Sequence, residues 1–277
     1  MRYNSSGNLF FGSDRMKEPV TGVQLYTLRD HIKTAADFDK TLSRLAAMGV
    51  RDVQISGIGK DVSAAAQKES LDRYGMRVCV THQSYDRITH DLPALIDLHR
   101  TIGCDALGLG CAPKTARGTL KNIRAFIRDM ENAAKQLQEY GITFHYHNHD
   151  FEFEKLRRCD RTMMDVLLAE SDPTLFHLIP DVAWMHYAGV DPVSFLRENA
   201  ARIKVVHFKD YAGKKTGKPR FVSLGQGIVP LEECFAVCRA LELPYVVYEQ
   251  DDGWTDGDPF LATEESLRCF ERLHRMP

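Results

Sequence analysis

Eight short apolar runs, each rich in β-branched or aromatic residues, alternate with amphipathic segments from Val20 to the C-terminus, and few folds accept that alternation. The runs are 20–26, 51–56, 76–82, 105–109, 142–147, 176–181, 203–208 and 244–249. Their near-continuous apolarity marks strands buried on both faces. Between them, Leu120, Ile123, Phe126, Ile127, Met130, Ala134 and Leu137 recur at three- and four-residue steps and predict a helix over 118–140. Phe38, Leu42 and Leu45 do the same over 34–48, with Thr34 as the N-cap. Gly49, Gly75, Gly103 and Gly141 stand just before strands, where helices end in the left-handed conformation. This α/β pattern predicts a single-domain (β/α)8 TIM barrel over 19–277. A doubly wound open sheet is the rival, but the first strand lacks a GxGxxG turn. Residues 1–18 are polar, and they read as a flexible extension with Met16 as an alternative start.

Four residues with metal-binding side chains end four of the runs: His147, Asp181, His207 and Glu249. In a parallel barrel all four would converge on the C-terminal mouth, where barrel enzymes keep their chemistry. Each has a plainer reading. Asp181 could cap the following helix or sit in a salt-bridged loop, and His207 could be a core histidine bonded to a backbone carbonyl. Glu249 is harder to dismiss, because glutamate is depleted in strands and is rarely buried unpaired. Together they offer mixed nitrogen and oxygen donors, which suit one divalent ion such as Mn²⁺, Co²⁺, Fe²⁺ or Zn²⁺ better than Ca²⁺.

Composition narrows the partners. With 36 basic and 38 acidic residues, the net charge of −2 gives no pull toward nucleic acid or an anionic membrane. No run approaches the length needed to span a bilayer, and the first 18 residues, polar and without an apolar core, do not read as a secretory signal. Seven cysteines without a CxxC pair fit a reduced, cytoplasmic protein. Cys234 and Cys238 would share a helix face, a weak metal-ligand spacing. Segment 209–230 is basic, glycine-rich and loop-like. Its Lys214, Lys215, Lys218 and Arg220 could hold a phosphate, although a solvated charge run is the simpler reading. Its Gly-Gln-Gly, 225–227, could bring backbone close to a ligand or simply make a tight turn.

Asp181 after the sixth run, Val-His-Phe-Lys-Asp at 206–210 and Tyr-Glu at 248–249 resemble the xylose isomerase-like TIM barrel superfamily, within it the sugar phosphate isomerase/epimerase family. Gly22–Arg29, Tyr146–Phe153 and Leu224–Gly227 add to the likeness. In related ketose epimerases the ligands are Glu, Asp, His and Glu on strands five to eight. Asp181, His207 and Glu249 match, whereas His147 stands in the place of the strand-five glutamate; Glu152 or Glu154 could restore a carboxylate if the segment sits differently. Two carboxylates and two neutral imidazoles would leave a divalent ion with no net charge, against −1 with three carboxylates, and so make it a stronger Lewis acid.

The resemblance implies a cytosolic, metal-dependent enzyme, a sugar isomerase or epimerase working through proton abstraction beside a carbonyl. Glu249, His147 or His149 would move the proton, and Lys209 would stabilise the enediolate. His82, His186, Trp184, Gln24 and Tyr26 are candidate contacts to the sugar or keto-sugar. A lyase of the same fold, such as a keto-inositol dehydratase or a 3-keto-glycoside eliminase, is the close alternative. A non-catalytic sugar-binding barrel and an endonuclease IV-like enzyme are the remaining ones, and a homo-oligomer is possible on the helical surface.

Overall fold

The computed structural model describes residues 17–276 except 158 and 216, together with all side chains in that span but those of Lys214 and Lys215. Most of the expected N-terminal extension therefore lies outside the described residues, as do the side chains of two lysines of the basic segment. The chain forms ten strands: β1 Val20–Gln24, β2 Asp52–Ile55, β3 Arg77–Gln83, β4 Ala106–Leu109, β5 Thr143–His147, β6 Phe176–Ile179, β7 Val205–Phe208, β8 Asp210–Lys215, β9 Lys218–Val222 and β10 Tyr245–Tyr248. Eight of them pair in parallel in the order β6-β5-β4-β3-β2-β1-β10-β7. The last seam, between β6 and β7, is bridged by the parallel pairs Leu178–Ile203 and Asp181–His207. His207 N–H donates to the Pro180 carbonyl there at 2.8 Å. The result is a nearly closed (β/α)8 barrel.

Val80, Ala106, Ile179, Val205 and Val247, from five different strands, pack together as the filling of the barrel. The outer strand faces pack on the helices. Thr34 caps Ala35–Ala47 by accepting from Asp37 N–H, and Thr119 caps Leu120–Gln138 by accepting from Asn122 N–H. Every residue of the stripe anticipated in the second helix from Ile123 to Leu137 is buried. Gly49, Gly75, Gly103 and Gly141 all have positive φ, as the helix-ending positions require.

Two segments differ from expectation. The first strand stops at Gln24, whose side-chain carbonyl accepts from Tyr26 N–H at 3.2 Å and turns the chain into a short 3₁₀ helix, Leu25–His31. The loop-like stretch after β7 is a β8–β9 hairpin in which buried Tyr211 faces buried Phe221 across the strands. Glycine and lysine content hid this pairing, because only two apolar residues anchor it. Asp210 then ties down the Gly-Gln-Gly turn: its carboxylate accepts from the N–H groups of Tyr211, Gly225, Gly227 and Val229 at 2.9–3.2 Å. A Cβ on Gly227 would fall 2.1 Å from that carboxylate, so only glycine fits. The turn's work is internal.

Cys234 and Cys238 lie buried on helix Leu231–Ala240, and burial pushes the Cys238 thiol up to about 12. They act as small core hydrophobes rather than ligands. Among the described residues, no helix is long and apolar enough to cross a membrane.

His99 ties the helix Leu92–Ile102 to β3, donating from Nδ1 to the Leu95 carbonyl (2.7 Å) and accepting at Nε2 from Thr81 (2.9 Å). Burial holds its pKa below the ordinary value. The unfolded chain therefore takes up a proton first as pH falls, and this contribution to stability declines below pH ~6.5. The midpoint of urea unfolding is expected to drop across that range, and His99→Gln to flatten the slope while costing roughly 1–2 kcal/mol at neutral pH. An unchanged slope in the variant would contradict this role.

Candidate metal centre and its cavity

His147, Asp181, His207 and Glu249 come together at the mouth, each offering one donor atom, with all four atoms within 4.8 Å of one another. All four residues are buried. Parallel pairing does this: β5, β6, β7 and β10 run side by side or across the seam, and each of the four residues stands within two positions of its strand's C-terminal end.

The hydrogen bonding around His147 sets its chemistry. Nδ1 lies 3.1 Å from the Gly110 carbonyl, which can only accept, so Nδ1 carries the proton. Nε2 faces Asp181 Oδ2 at 3.4 Å and Glu249 Oε2 at 3.9 Å, donating to Asp181 when the ring is protonated and keeping a lone pair when it is neutral. Converging buried acceptors repel unless a cation lies between them. Burial pushes the His147 pKa down, but Asp181 and Glu249 outweigh it and raise it. His207 places Nδ1 2.9 Å from Glu249 Oε2 and Nε2 2.7 Å from Gln54 Oε1. A proton on Nε2 donated to Gln54 frees Nδ1 as a ligand, the usual support for a metal-binding imidazole.

Asp181 does two things. Oδ1 caps the following helix, accepting from Ala183 and Trp184 N–H at 3.0 Å each, and Oδ2 faces the cluster. One oxygen thus serves the capping reading, and the other is free to serve the ligand reading. Asn148 holds it in place by accepting from Asp181 N–H at 3.1 Å. Burial opposes ionisation, but Lys209 and His147 keep this carboxyl down at about 2. The donor set of two imidazoles and two carboxylates fits a divalent transition ion.

Lys209 is buried among carboxylates: Nζ lies 2.9 Å from Asp251 Oδ2, 3.2 Å from Glu249 Oε2 and 3.3 Å from Asp181 Oδ2. Burial works against its charge, yet these three acids hold its pKa well above normal. Asp251 was not anticipated from the sequence; an acid in a loop two residues past Glu249 carries no signal of its own.

A cavity of about 610 Å³ opens over the cluster, lined among others by Tyr26, His82, His147, His149, Lys209 and Glu249. Gln24, Trp184 and His186 are not on its wall. Gln24 instead positions His82: with its carbonyl engaged by Tyr26 N–H, its amide nitrogen donates to His82 Nδ1 at 3.4 Å. His82 is neutral, since burial and His147 hold its pKa well down, so Nε2 bears the proton, and that N–H has no partner among the described residues. Room for the ring comes from Gly108 and Gly110, where a Cβ would lie 2.8–2.9 Å from it. His149 is also neutral, lowered to about 3 by burial and His147, with Nδ1 unpartnered. Trp184 packs against His149 and Phe221, and His186 meets the Tyr211 hydroxyl at 2.9 Å. Glu152 is buried, pushed up to about 7, and bonded to the Tyr146 hydroxyl and His149 N–H, while Glu154 is exposed. Neither belongs to the four-residue cluster, so His147 keeps its place there.

A profile described as xylose isomerase-like TIM barrel matches residues 42–273. Among curated proteins, inosose dehydratases of Geobacillus kaustophilus and Halalkalibacterium halodurans are 36% and 34% identical over 87 and 82 residues. Those segments cover 31% and 29% of this chain, and the match spans only about a quarter of each relative, 27% and 25%. A sugar phosphate isomerase/epimerase structure from Parabacteroides distasonis superposes with a TM-score of 0.76 at 18% identity, covering 94% of this chain and 98% of its own. An L-ribulose 3-epimerase structure gives 0.69 at 14%, covering 93% and 96%. At such identities the structures attest the shared barrel, and the profile, which takes in most of the chain, attests the lineage. The chain belongs to the xylose isomerase-like TIM barrel family.

Proposed function

We propose that this chain is a divalent-metal-dependent enzyme that removes the proton beside a carbonyl of a sugar or keto-sugar, and that it acts as an isomerase or epimerase. The observation that carries this reading is the buried four-donor cluster with a lysine ammonium directly beside it, under an open cavity of ligand size. His147, Asp181, His207 and Glu249 would hold the ion, which when bound supplies Lewis-acid polarisation of the substrate carbonyl.

The chain's own groups account for the proton. Glu249 is held well below the usual carboxylate range by Lys209 and His207 against the pull of burial, and so is ionised and able to accept. When Lys209 turns a hydrogen bond toward the developing enediolate oxygen, its hold on Glu249 weakens and the carboxylate becomes a better base. His149, neutral and on the cavity wall, is the second group able to take up or return a proton. Return to the other face or the neighbouring carbon gives an epimer or isomer. Loss of a β-hydroxyl gives a dehydrated product, a second reading favoured by His147 in the cluster and by the similarity to part of the inosose dehydratases. The cytoplasm and a small-molecule partner go with either reading.

Elemental analysis of the purified protein, after incubation with Mn²⁺, Co²⁺ or Zn²⁺, is expected to find about one ion per chain. His147→Ala and Glu249→Ala should each lose it while remaining folded by circular dichroism. Retention in both would sink the four-ligand site.

Metal-loaded protein in D₂O is expected to wash deuterium into the carbon beside the carbonyl of a ketose substrate, followed by NMR. Glu249→Gln should slow exchange by about 10²–10⁴-fold, and Lys209→Met should lower kcat more than it raises KM. An unsaturated product absorbing in the ultraviolet would place the enzyme with the dehydratases. No exchange across a panel of ketoses and keto-inositols would remove the enolate step.

A further inference from the structure

We infer that Lys209 competes with the metal ion for Asp181 and Glu249, and that Asp251 receives its ammonium when the ion enters; this rests on the metal reading above. Nζ lies 3.3 Å from Asp181 Oδ2 and 3.2 Å from Glu249 Oε2. Those oxygens are the ones that face the imidazoles of the cluster, Oδ2 toward His147 and Oε2 toward both His147 and His207. Among the described residues, no other lysine or arginine pairs with either carboxylate. The ammonium therefore neutralises the same two charges that a divalent ion would use. Two cations on shared oxygens in a dry site repel each other strongly. The lysine, a point charge on a flexible stem, is the one able to give way.

A seat for the displaced charge is already built. Asp251 Oδ2, at 2.9 Å, makes the shortest of the three contacts to Nζ, and Asp251 stands on the cavity wall outside the four-residue cluster. The rings of Trp184 and Phe221, with centroids 5.6 and 5.3 Å from Nζ, add an attraction that owes nothing to the cluster.

Asp251 is itself held in place. Its carbonyl accepts from Arg29 Nη2 at 2.8 Å, and the Arg29 guanidinium packs on the rings of Tyr26 and Trp254. Two residues on, the chain runs so close to β9 that a Cβ on Gly253 would fall 2.5 Å from the Phe221 carbonyl. In the exchange no covalent bond forms or breaks: the ion takes the two cluster oxygens, and the ammonium keeps Asp251. Release from two acids frees its N–H groups for a substrate oxygen, so metal loading and the lysine's part in the reaction are linked.

The test is calorimetry of Mn²⁺ binding, at one pH, to full-length wild type, Lys209→Met, Asp251→Asn and the double variant, each checked for folding by circular dichroism. Lys209→Met is expected to bind Mn²⁺ tenfold or more tighter than wild type, and Asp251→Asn tenfold or more weaker. With Lys209→Met already present, Asp251→Asn is expected to change affinity less than threefold, because no ammonium is left to receive. Lys209→Gln, which keeps a hydrogen-bonding group without the charge, takes the place of the methionine variant if that one does not fold. Equal affinity in wild type and the Lys209 variant overturns the competition. Weakening by Asp251→Asn to the same factor in both backgrounds means that Asp251 acts by its own charge alone, and overturns the exchange. Absence of Mn²⁺ binding by wild type and every variant overturns the metal reading and the exchange together.

Discussion

Asp181 Oδ2 and Glu249 Oε2 can face one buried point only because positive charge is held there, and the rest of the mouth is arranged around that requirement. Lys209 reaches both oxygens and is itself kept charged by them and by Asp251. A lysine in a dry site would ordinarily lose its proton; three acids prevent it. The same ammonium keeps Glu249 ionised despite burial. Removing any one member leaves the others as uncompensated buried charges, a costly state. The cluster therefore behaves as a unit, and double-mutant cycles rather than single substitutions are the way to apportion it.

That unit needs a frame that does not yield. Two of its members, Asp181 and His207, stand paired across the seam between β6 and β7, where the continuous ladder gives way to isolated bridges. Asp181 adds its own reinforcement by capping the next helix with the oxygen that does not face the cluster. Asn148 fixes its backbone, and the Gly110 carbonyl fixes the tautomer of His147. Backbone groups thus decide which atoms of the site are donors and which are acceptors.

The barrel was legible because its signal is repeated: apolar runs, helix stripes and helix-ending glycines all point to the same architecture. The four convergent residues were legible for a related reason, since charged or imidazole side chains at the ends of buried strands conflict with their surroundings unless they share a task. Gln24, Gln54 and Asp251 were less so. An uncharged glutamine inside a strand advertises nothing about whether it touches sugar or holds a histidine, and Gln24 does the second. Trp184 and His186 illustrate the converse limit. Both follow Asp181 closely in sequence, but the helix that begins there sets Trp184 behind His149 and Lys209 against Phe221, and His186 against Tyr211, so neither lines the cavity. The hairpin after β7 escaped because its pairing rests on a single apolar cross-strand pair, too little for periodicity to register.

His147 bears on the choice between returning a proton and expelling a hydroxyl. Epimerisation needs a competent base on each face of the reacting carbon, and a pair of carboxylates supplies two groups of similar basicity. Here Glu249 is the one carboxylate of the cluster not also engaged in capping a helix, and the neutral groups on the cavity wall are His82 and His149. His82 presents an N–H, suited to donating toward an oxygen rather than to taking a proton from carbon. An N–H donor beside the reacting centre helps a leaving oxygen depart, which is what an elimination requires. His149, with an unpartnered nitrogen, is the group on which a two-base epimerisation would depend. On the proposed reading, the division between the two outcomes would rest on which of these two imidazoles meets the substrate, and less on the four clustered residues they surround.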